Sequence, residues 1–206
     1  MAIADPQPAP RRTPQQQRSR ERVERILTVA KDQIARSGSD ALKMGEVAAE
    51  AGISIGSLYQ YFPDKGAIIA ALAERYYEEG RTCIRDCLAE VHDIETLARG
   101  FADLVDTYYG LFLAEPAMRD IWSGVQADHA LQQIDLEDSR ENGALVGATL
   151  ARICPDADPA ELARRAMLVM YLGNATMRLA IAVGRPEGDA LVEDYQRLAL
   201  NELLAG

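Results

Sequence analysis

The stretch from residue 54 to residue 62 carries side chains suited to contacting the bases of nucleic acid. Leu58 and Phe62 lie one helical turn apart and are predicted to point inward. The remaining arc holds uncharged polar groups, aromatic rings and one aliphatic side chain, namely Ile55, Gly56, Ser57, Tyr59, Gln60 and Tyr61. An exposed helix in a chain of net charge −10 would ordinarily carry Glu and Lys there. Because such groups suit base edges, thymine methyls and phosphates, the stretch predicts a helix that contacts DNA.

A tight turn places this helix against a preceding one. Gly52 follows the first helical segment, where a positive φ costs glycine little. Ser54 precedes the second segment, where its hydroxyl can accept a backbone N–H. The first segment presents small residues on one face for the close approach of a partner helix: Val47, Ala48 and Ala51. The pattern predicts a helix-turn-helix within residues 42–65.

Helical signals flank this unit on both sides. Asp64 is expected to cap a further helix, and Lys65 in its first turn would add an ammonium to exposed backbone N–H groups, forming a seat for a phosphate. Upstream, residues 18–37 predict an amphipathic helix that ends at Gly38 and completes a three-helix domain. Its apolar face consists of Val23, Ile26, Leu27, Ala30 and Ile34.

Residues 20–65 resemble the DNA-binding domain of the TetR family of bacterial transcriptional regulators. The resemblance rests on Val47-Ala48, Ala51-Gly52-Ile53-Ser54, Leu58-Tyr59, Phe62 and Lys65. Family members often have Thr at the position of Lys43, as a helix cap and phosphate contact, and Arg at the position of Gly45, as a base contact. Here Lys43 can still reach a phosphate, whereas Gly45 offers only its backbone.

These observations give one set of predicted DNA-binding residues: Lys43, Gly45, Ser54, Ile55, Gly56, Ser57, Tyr59, Gln60, Tyr61 and Lys65. Two alternatives stay open at this point. Helix-turn-helix units also occur as ordinary supersecondary structure, and a Leu/Phe pair at helical spacing is often only core. A tyrosine such as Tyr59 can also simply cover apolar surface with its ring.

Charge is divided unevenly along the chain. Residues 1–65 hold ten Lys and Arg against eight Asp and Glu, whereas the remaining residues hold twelve against twenty-four. A polyanion would be attracted to the first part and repelled by the second, so an overall pI of about 4.7 confines DNA binding to the N-terminal part. Residues 1–17, with four prolines and the basic Arg11 and Arg12, predict a disordered arm. It either contacts phosphates and the minor groove or is a solvated tail.

Helical periodicity continues through the rest of the chain, without strand-like alternation or hairpin signals. Helices are predicted over residues 67–91, 96–113, 117–126, 131–153, 161–183 and 191–203, with Leu145, Ala148 and Thr149 marking one side of the fourth of these. The predicted fold is all-α. It consists of a three-helix helix-turn-helix domain at residues 18–65 joined to a helical effector-binding and dimerisation domain at residues 66–206.

The last two helices predict a homodimer. Residues 161–183 carry two apolar stripes, one of Leu162, Ala166, Met170, Gly173 and Met177 and another of Leu168, Leu172, Ala175 and Leu179. A helix buried on two sides needs two partners. The pair could pack within one chain, but the resemblance places the dimerisation helices here, at residues 159–184 and 189–204. Two copies would form a four-helix interface. The two DNA-contacting helices at residues 54–62 would then be related by a twofold axis and would bind an inverted-repeat operator.

The resemblance also implies a small-molecule pocket in the C-terminal domain, whose occupation alters the spacing of the reading helices. The predicted lining is Tyr108, Tyr109, Phe112, Met118, Trp122, Met167, Met170, Tyr171 and Asn174, each of which, taken singly, is better explained as a core residue. The effector is expected to be mostly apolar and not strongly anionic. Repression by occupying a promoter is expected, with activation left open. An adaptor whose C-terminal domain binds a protein instead of a small molecule is the alternative.

Catalytic and metal-binding patterns do not stand out. The sequence shows no Glu-x-x-His pair, glycine-rich phosphate loop or Ser/His arrangement, so we predict a protein that is not an enzyme and needs no cofactor or metal. Cys83 and Cys87 lie one turn apart and are interpreted as inert thiols, with redox or metal sensing as the alternative. His92 and His129 are expected at the surface.

Localisation follows from three further features. No run of about 18 apolar residues occurs, which predicts no membrane span. The first residues are rich in proline and glutamine where a signal peptide would be apolar. An odd number of cysteines gives no disulfide framework. The protein is therefore expected in the cytoplasm, at the nucleoid, with double-stranded DNA, a second copy of itself and a small-molecule effector as its partners.

Overall fold

A computed structural model describes residues 14–204, and within them every side chain except those of residues 14, 15 and 126. The regular elements of this part of the chain are all helical, so the predicted all-α fold is confirmed. In chain order they are α1 (Pro14–Ser37), α2 (Met44–Glu50), α3 (Ile55–Tyr59), α4 (Lys65–Ala89), α5 (Ile94–Ala114), α6 (Pro116–Gly124), a 3₁₀ turn (Val125–Ala127), α7 (His129–Ile153), α8 (Pro159–Val183) and α9 (Glu187–Leu204).

Helices α1 to α3 form a small domain around an apolar core. The residues predicted to face inward are buried there, with Val23 half-buried and the others buried fully: Ile26, Leu27, Ala30, Ile34, Val47, Ala48, Ala51, Leu58 and Phe62. Gly38 follows α1 with a φ of 81°, and Gly52 follows α2 with a φ of 66°. Both glycines therefore follow helices in the left-handed region. The sequence predicted the helix end at each of them and a positive φ at Gly52.

Helix α1 begins earlier than expected. The predicted arm covered residues 1–17, but residues 14–17 belong to α1, which corrects its boundary. Pro14 is the first residue of α1, where the fixed φ of proline suits a helix and its missing N–H is not needed. The glutamines that follow are good helix formers. Residues 1–13, including Arg11 and Arg12, lie outside the described part of the chain.

Helix α4 leads from this domain into a bundle formed by α5 to α9. Helices α7 and α8 approach each other closely, so that a Cβ added to Gly143 would lie 2.6 Å from the Cα of Met167. Gly147, one turn later, approaches α8 in the same way. Helix α9 packs on α8, and the Tyr195 hydroxyl donates a hydrogen bond of 2.8 Å to the carbonyl oxygen of Val169. These close contacts fix the positions of α7, α8 and α9 relative to one another.

The buried side of α7 differs from the predicted one. Of the three residues expected to mark it, Thr149 is buried and Leu145 is half-buried, but Ala148 is exposed. The buried face is instead largely polar and includes Asp135, Asp138, Ser139 and Asn142. The prediction followed apolar residues only. It was wrong because neighbouring helices supply hydrogen-bond donors to two of these groups, Asp135 and Asp138.

Helix α8 is apolar on more than one side. Its length and composition would suit a membrane span, with a mean hydropathy of 1.5 in its most apolar window, which a search for uninterrupted apolar runs overlooks. One such helix is weak evidence for a span, because core helices also reach this value. One side of α8 packs against α7 and α9, but only 28% of the window is buried. The exposed stripe consists of Leu168, Tyr171, Leu172, Leu179 and Val183.

Candidate DNA-binding surface and ligand cavity

The start of α3 is fixed by the predicted turn. Ser54 occupies the cap position, and its hydroxyl accepts a hydrogen bond of 3.1 Å from the backbone N–H of Ser57. Leu58 is fully buried and Phe62 is 7% exposed, so both anchor α3 in the core of the domain. The short helix is thereby held with one side against α1 and α2 and the other side outward.

The outward side of α3 carries the predicted uncharged surface. Ile55 is 44% exposed and Tyr59 is 52% exposed, and Gly56 and Gln60 are exposed beside them. A Cβ added to Gly56 would meet no heavy atom within 4 Å, so another molecule can approach the backbone there. We call this set, Ile55, Gly56, Tyr59 and Gln60, the α3 face. No other part of residues 14–204 covers this aromatic and aliphatic surface.

Tyr61 and Ser57 lie at the margin of this face and are half-buried. The Tyr61 hydroxyl is hydrogen-bonded by the side chains of Ser19 and Arg22 on α1, which lowers its pKa. Tyr61 therefore connects the chain just after α3 to α1. A direct role in DNA contact would use only the part of its ring that stays accessible.

Lys43 and Gly45, at the start of α2, are exposed. The ammonium of Lys43 lies 2.9 Å from the carboxylate of Glu46, and its side chain makes no cap for α2. This surface pair is weak, so the ammonium can exchange Glu46 for a phosphate. The backbone of Gly45 is open, with no heavy atom within 4 Å of an added Cβ.

The Lys65 ammonium does not point to a free phosphate-binding site as expected but is bound within the protein. Asp64 caps α4 as predicted, accepting a hydrogen bond of 2.9 Å from the backbone N–H of Ala67. The Lys65 ammonium, however, donates to two backbone carbonyl oxygens of the loop before α2, at 2.9 Å to Asp40 and 3.4 Å to Ser39. It thus joins the first turn of α4 to the DNA-binding domain, which sequence patterns within one helix do not reveal.

A cavity of about 70 Å³ lies between α4, α5, α7, α8 and α9. Three of the nine residues predicted to line a pocket do so, namely Tyr108, Met170 and Asn174. Phe112, Met118 and Trp122 belong to the packed core instead. Helical periodicity identifies a buried face but not the neighbour it meets, which is why core and cavity residues were not separated.

The other three predicted lining residues also lie elsewhere. The Tyr109 hydroxyl donates a hydrogen bond of 3.0 Å to Asp189 at the start of α9. Met167 lies at the close crossing with Gly143. Tyr171 is 36% exposed on the outer stripe of α8. These six positions are therefore corrected, and the lining comes mainly from α4 and α5, including Tyr76, Tyr77, Gly80, Ile84, Phe101 and Val105.

A buried polar network lies beside the cavity and was missed by the sequence analysis. Asp135 accepts hydrogen bonds of 2.9 Å from the Tyr77 hydroxyl and from the Asn174 amide. Asp138 accepts one of 2.9 Å from Arg81 and one of 2.7 Å from Asn142. A signal did exist: Asp135, Asp138, Ser139 and Asn142 have the i, i+3, i+4, i+7 spacing of one helix face. A polar stripe at this spacing is easily taken for a solvated face.

Burial and, to a smaller extent, the neighbouring charge of Asp135 raise the pKa of Asp138 to about 7, although Arg81 opposes the shift. Burial also raises the pKa of Cys87, as does Asp103. Cys83 is exposed and Cys87 is half-buried. A raised pKa keeps the Cys87 thiol protonated, which favours the interpretation of an inert thiol. His92 and His129 are exposed, as predicted.

Two routes connect the cavity with the DNA-binding domain. Helix α4 lines the cavity through Tyr76 and Tyr77 and holds the DNA-binding domain through Lys65. Helix α6 forms the second, indirect route. Its Trp122 packs against the cavity-lining Tyr76 and Tyr77. Its Asp120 accepts a hydrogen bond of 2.8 Å from the backbone N–H of Ser39. Both helices therefore contact the DNA-binding domain directly.

Both parts of the chain match a known family. Residues 26–72 match the description "Bacterial regulatory proteins, tetR family", and residues 95–206, more than half of the chain, match "Tetracyclin repressor-like, C-terminal domain". The chain belongs to the TetR family of bacterial regulatory proteins. TetR-family proteins are transcriptional regulators and not enzymes; they bind DNA, dimerise and bind small molecules. No curated protein matches the chain.

Several solved structures share the fold of this TetR-family chain. A TetR-family transcriptional regulator from Streptomyces coelicolor is 25% identical, with 89% of this chain and 98% of that chain covered and a TM-score of 0.68. FadR from Bacillus subtilis, in complex with stearoyl-CoA, is 15% identical, with 87% and 98% covered and a TM-score of 0.64. RolR, in complex with resorcinol, is 18% identical, with 93% and 97% covered and a TM-score of 0.61.

Proposed function

We propose that this TetR-family regulator is a repressor that binds an inverted-repeat operator as a homodimer and is released by a small, mostly apolar effector. It acts in the cytoplasm, at the nucleoid. The observation that carries the proposal is the exposed α3 face. Apolar surface left in water costs roughly 25 cal/mol per Å². Contact with a duplex would recover this free energy, and the absence of acidic side chains on α3 avoids repulsion from phosphates.

The residues of the α3 face suit different parts of a major groove. The Gln60 amide can bind an adenine edge with two hydrogen bonds, and Ile55 offers an apolar contact to a thymine methyl. Tyr59 supplies a ring and a hydroxyl, while Gly56 lets the backbone approach closely. Lys43 and the open backbone at Gly45 and Ser54 would position the domain on phosphates. Lys65 would act by holding α4 against this domain.

The exposed stripe of α8 supports a homodimer through residues 159–184 and 189–204. Leu168 and Leu179 are each 50% exposed, and Leu198 on α9 is 65% exposed. Such a surface on a regulator is typical of an interface that a second copy covers. A twofold axis along the last helices would present two α3 faces, and their separation would set the distance between half-sites.

The cavity supports regulation by a small molecule over the adaptor alternative, since an adaptor would need no internal space. Two proteins of the same fold hold small molecules, stearoyl-CoA and resorcinol. We infer that the effector-free dimer holds its α3 faces at operator spacing. An effector between α4, α5, α7 and α8 would favour another position of α4, so that effector and operator weaken each other's binding reciprocally.

The proposal is tested by incubating the purified full chain with random genomic DNA fragments and sequencing those retained. We expect enrichment of one inverted repeat beside a promoter, and lower transcription from that promoter when the protein is added in vitro. A folded dimer that enriches no sequence would contradict the DNA-binding proposal. Increased transcription would instead identify an activator. A titration in which apolar compounds never release the operator while an anion does would contradict the proposed effector.

A further inference from the structure

The cavity has apolar walls and one polar end. Its walls are formed by aliphatic, aromatic and sulfur-containing side chains, among them Ile84, Phe101, Val105, Met170 and Met177. The polar end contains Asp138 and Asn142 of α7. Both are almost completely buried, at 5% exposure each. A buried polar group that faces an internal space needs a partner there.

Asn142 lacks such a partner for one of its atoms. Its Nδ2 donates a hydrogen bond of 2.7 Å to Oδ2 of Asp138. Above its pKa of about 7, Asp138 is ionised and its carboxylate only accepts hydrogen bonds, so this contact then fixes the amide with its nitrogen toward Asp138. The carbonyl oxygen, Oδ1, is buried and accepts no hydrogen bond from the described part of the chain.

Asn174, which also lines the cavity, provides a contrast. Its Oδ1 accepts a hydrogen bond of 2.9 Å from the Tyr108 hydroxyl, and its Nδ2 donates one of 2.9 Å to Asp135. Both ends of this amide are therefore engaged within the protein. Of the two amides in the cavity wall, Asn142 alone has an unused acceptor, and it lies beside a carboxylate.

Asp138 can accept further hydrogen bonds as well. Its Oδ1 accepts from Arg81, which does not line the cavity, and its Oδ2 accepts from Asn142. Each carboxylate oxygen has about two acceptor sites, so capacity is left on both. This end of the cavity thus offers acceptors, with a negative charge when Asp138 is ionised. An anionic ligand would be repelled, and a purely apolar one would leave Asn142 unsatisfied.

We propose that the cavity takes a single-ring-sized apolar molecule whose polar end is a hydrogen-bond donor, an ammonium or a hydroxyl, received by the Asp138 carboxylate and the Asn142 carbonyl oxygen. This inference rests on the proposed effector function and specifies its chemistry. The volume of about 70 Å³ exceeds the roughly 10–15 Å³ needed for one water but is about half of the roughly 150 Å³ of an engineered cavity that holds benzene. A single ring is therefore the upper limit of size, and it would extend toward the exposed Cys83 and Leu111 in the cavity wall. Gly80 leaves room in the wall, since an added Cβ would meet no heavy atom within 4 Å.

The experiment uses four compounds that share one ring and differ in the group it carries: benzylamine, benzyl alcohol, benzoate and toluene. Each is titrated calorimetrically into the full chain. We expect benzylamine and benzyl alcohol to bind about tenfold or more tightly than toluene and benzoate. Asp138→Asn should weaken benzylamine about tenfold and benzyl alcohol less, because the variant removes the charge and keeps an acceptor.

The matched control is Glu141→Gln. Glu141 also pairs with Arg81, but it is half-exposed and does not line the cavity, so both affinities should stay within about threefold. A second measurement needs no variant. Cys83 is exposed and lines the cavity, so benzylamine should slow its alkylation by iodoacetamide, followed by peptide mass spectrometry, while Cys154 reacts unchanged.

Each outcome separates this inference from the proposed function. Toluene or benzoate binding as tightly as benzylamine, or equal losses in Asp138→Asn and Glu141→Gln, would overturn the donor chemistry and leave operator binding untouched. No binding of any compound by a chain that still binds its operator would overturn the cavity assignment. If benzylamine and benzyl alcohol bind as expected but do not weaken operator binding, the inference is supported, and the proposal that an effector releases the operator is contradicted.

Discussion

The Tyr77 hydroxyl donates a hydrogen bond of 2.9 Å to Oδ1 of the buried Asp135. Asn174 donates to the same oxygen atom, also at 2.9 Å. One carboxylate on α7 therefore holds α4 and α8 together at the edge of the cavity. Because α4 also carries Lys65 into the DNA-binding domain, the position of this carboxylate relates the cavity to the α3 face.

Replacing Tyr77 with Phe removes this hydrogen bond and keeps the ring, whose centroid lies 4.8 Å from that of Trp122. We expect the free energy of unfolding to fall by about 1–3 kcal/mol, because a buried carboxylate loses a donor. Urea denaturation measures the loss. Tyr109→Phe is the control and should lose less stability. The hydrogen-bond partner of Tyr109, Asp189, lies nearer the surface and is also paired with Arg185. An equal or larger loss in Tyr109→Phe would contradict the prediction.

The raised pKa of Asp138 predicts a pH-dependent stability difference. Its pKa rises from 3.8 to about 7 on folding, so between these values the folded chain binds more protons than the unfolded one. Asp138 therefore makes the fold less stable as pH rises through this window. Relative to the natural chain, Asp138→Asn should gain stability from pH 4 to pH 8, by at most about 4 kcal/mol. Urea denaturation across this range would contradict the prediction if the difference stayed constant.

Replacing Tyr59 and Gln60 with Ala should abolish sequence selectivity while preserving the dimer. Each lost base contact corresponds to about 1–3 kcal/mol of discrimination, so preference for the enriched operator over scrambled DNA should fall about tenfold or more. Fluorescence anisotropy measures both affinities. Lys43→Ala provides the comparison: it should weaken both DNAs alike and reduce the salt dependence by about one phosphate contact. If the double variant kept its sequence selectivity, the α3 face would not be the surface that recognises DNA.

The proposed dimer interface is tested by Leu172→Glu. Leu172 is 46% exposed in the single chain, and a charge there would be buried at the interface between two copies. We expect a monomer by analytical ultracentrifugation and at least about a hundredfold weaker operator binding. Ile94→Glu is the matched control, because Ile94 is 50% exposed at the start of α5 and does not belong to either helix of the proposed interface. A dimer retained in Leu172→Glu, or lost equally in Ile94→Glu, would contradict the assignment.

Gly80→Ala should make the fold more stable and the cavity smaller. Ala lowers the free energy of a helix interior by about 0.5–1 kcal/mol relative to Gly, and an added Cβ at Gly80 is free of clashes. Gly110→Ala should give the same gain, since Gly110 is equally unobstructed but does not line the cavity. Only Gly80→Ala should weaken benzyl alcohol binding, measured by calorimetry. Equal ligand affinities in the two variants would contradict the placement of the ligand beside α4.

The local features of the fold were determined by the sequence itself. The caps at Ser54 and Asp64, the positive φ of Gly38 and Gly52, and the inward pair of Leu58 and Phe62 all depend on residues within about one turn of each other. Such interactions are encoded along the chain and require no knowledge of distant partners. The helix-turn-helix and the outward surface of α3 could therefore be predicted.

Only the tertiary structure decided which residues line the cavity. Tyr108, Met170 and Asn174 line it while Phe112 and Trp122 do not, although all five are spaced like buried residues. The difference depends on how each helix is rotated and how closely it crosses its neighbours. The polar face of α7 likewise became a buried face only because Tyr77, Arg81 and Asn174 reach it from other helices. Hydrogen-bond partners distant in sequence have no periodicity, so only the packed chain reveals them.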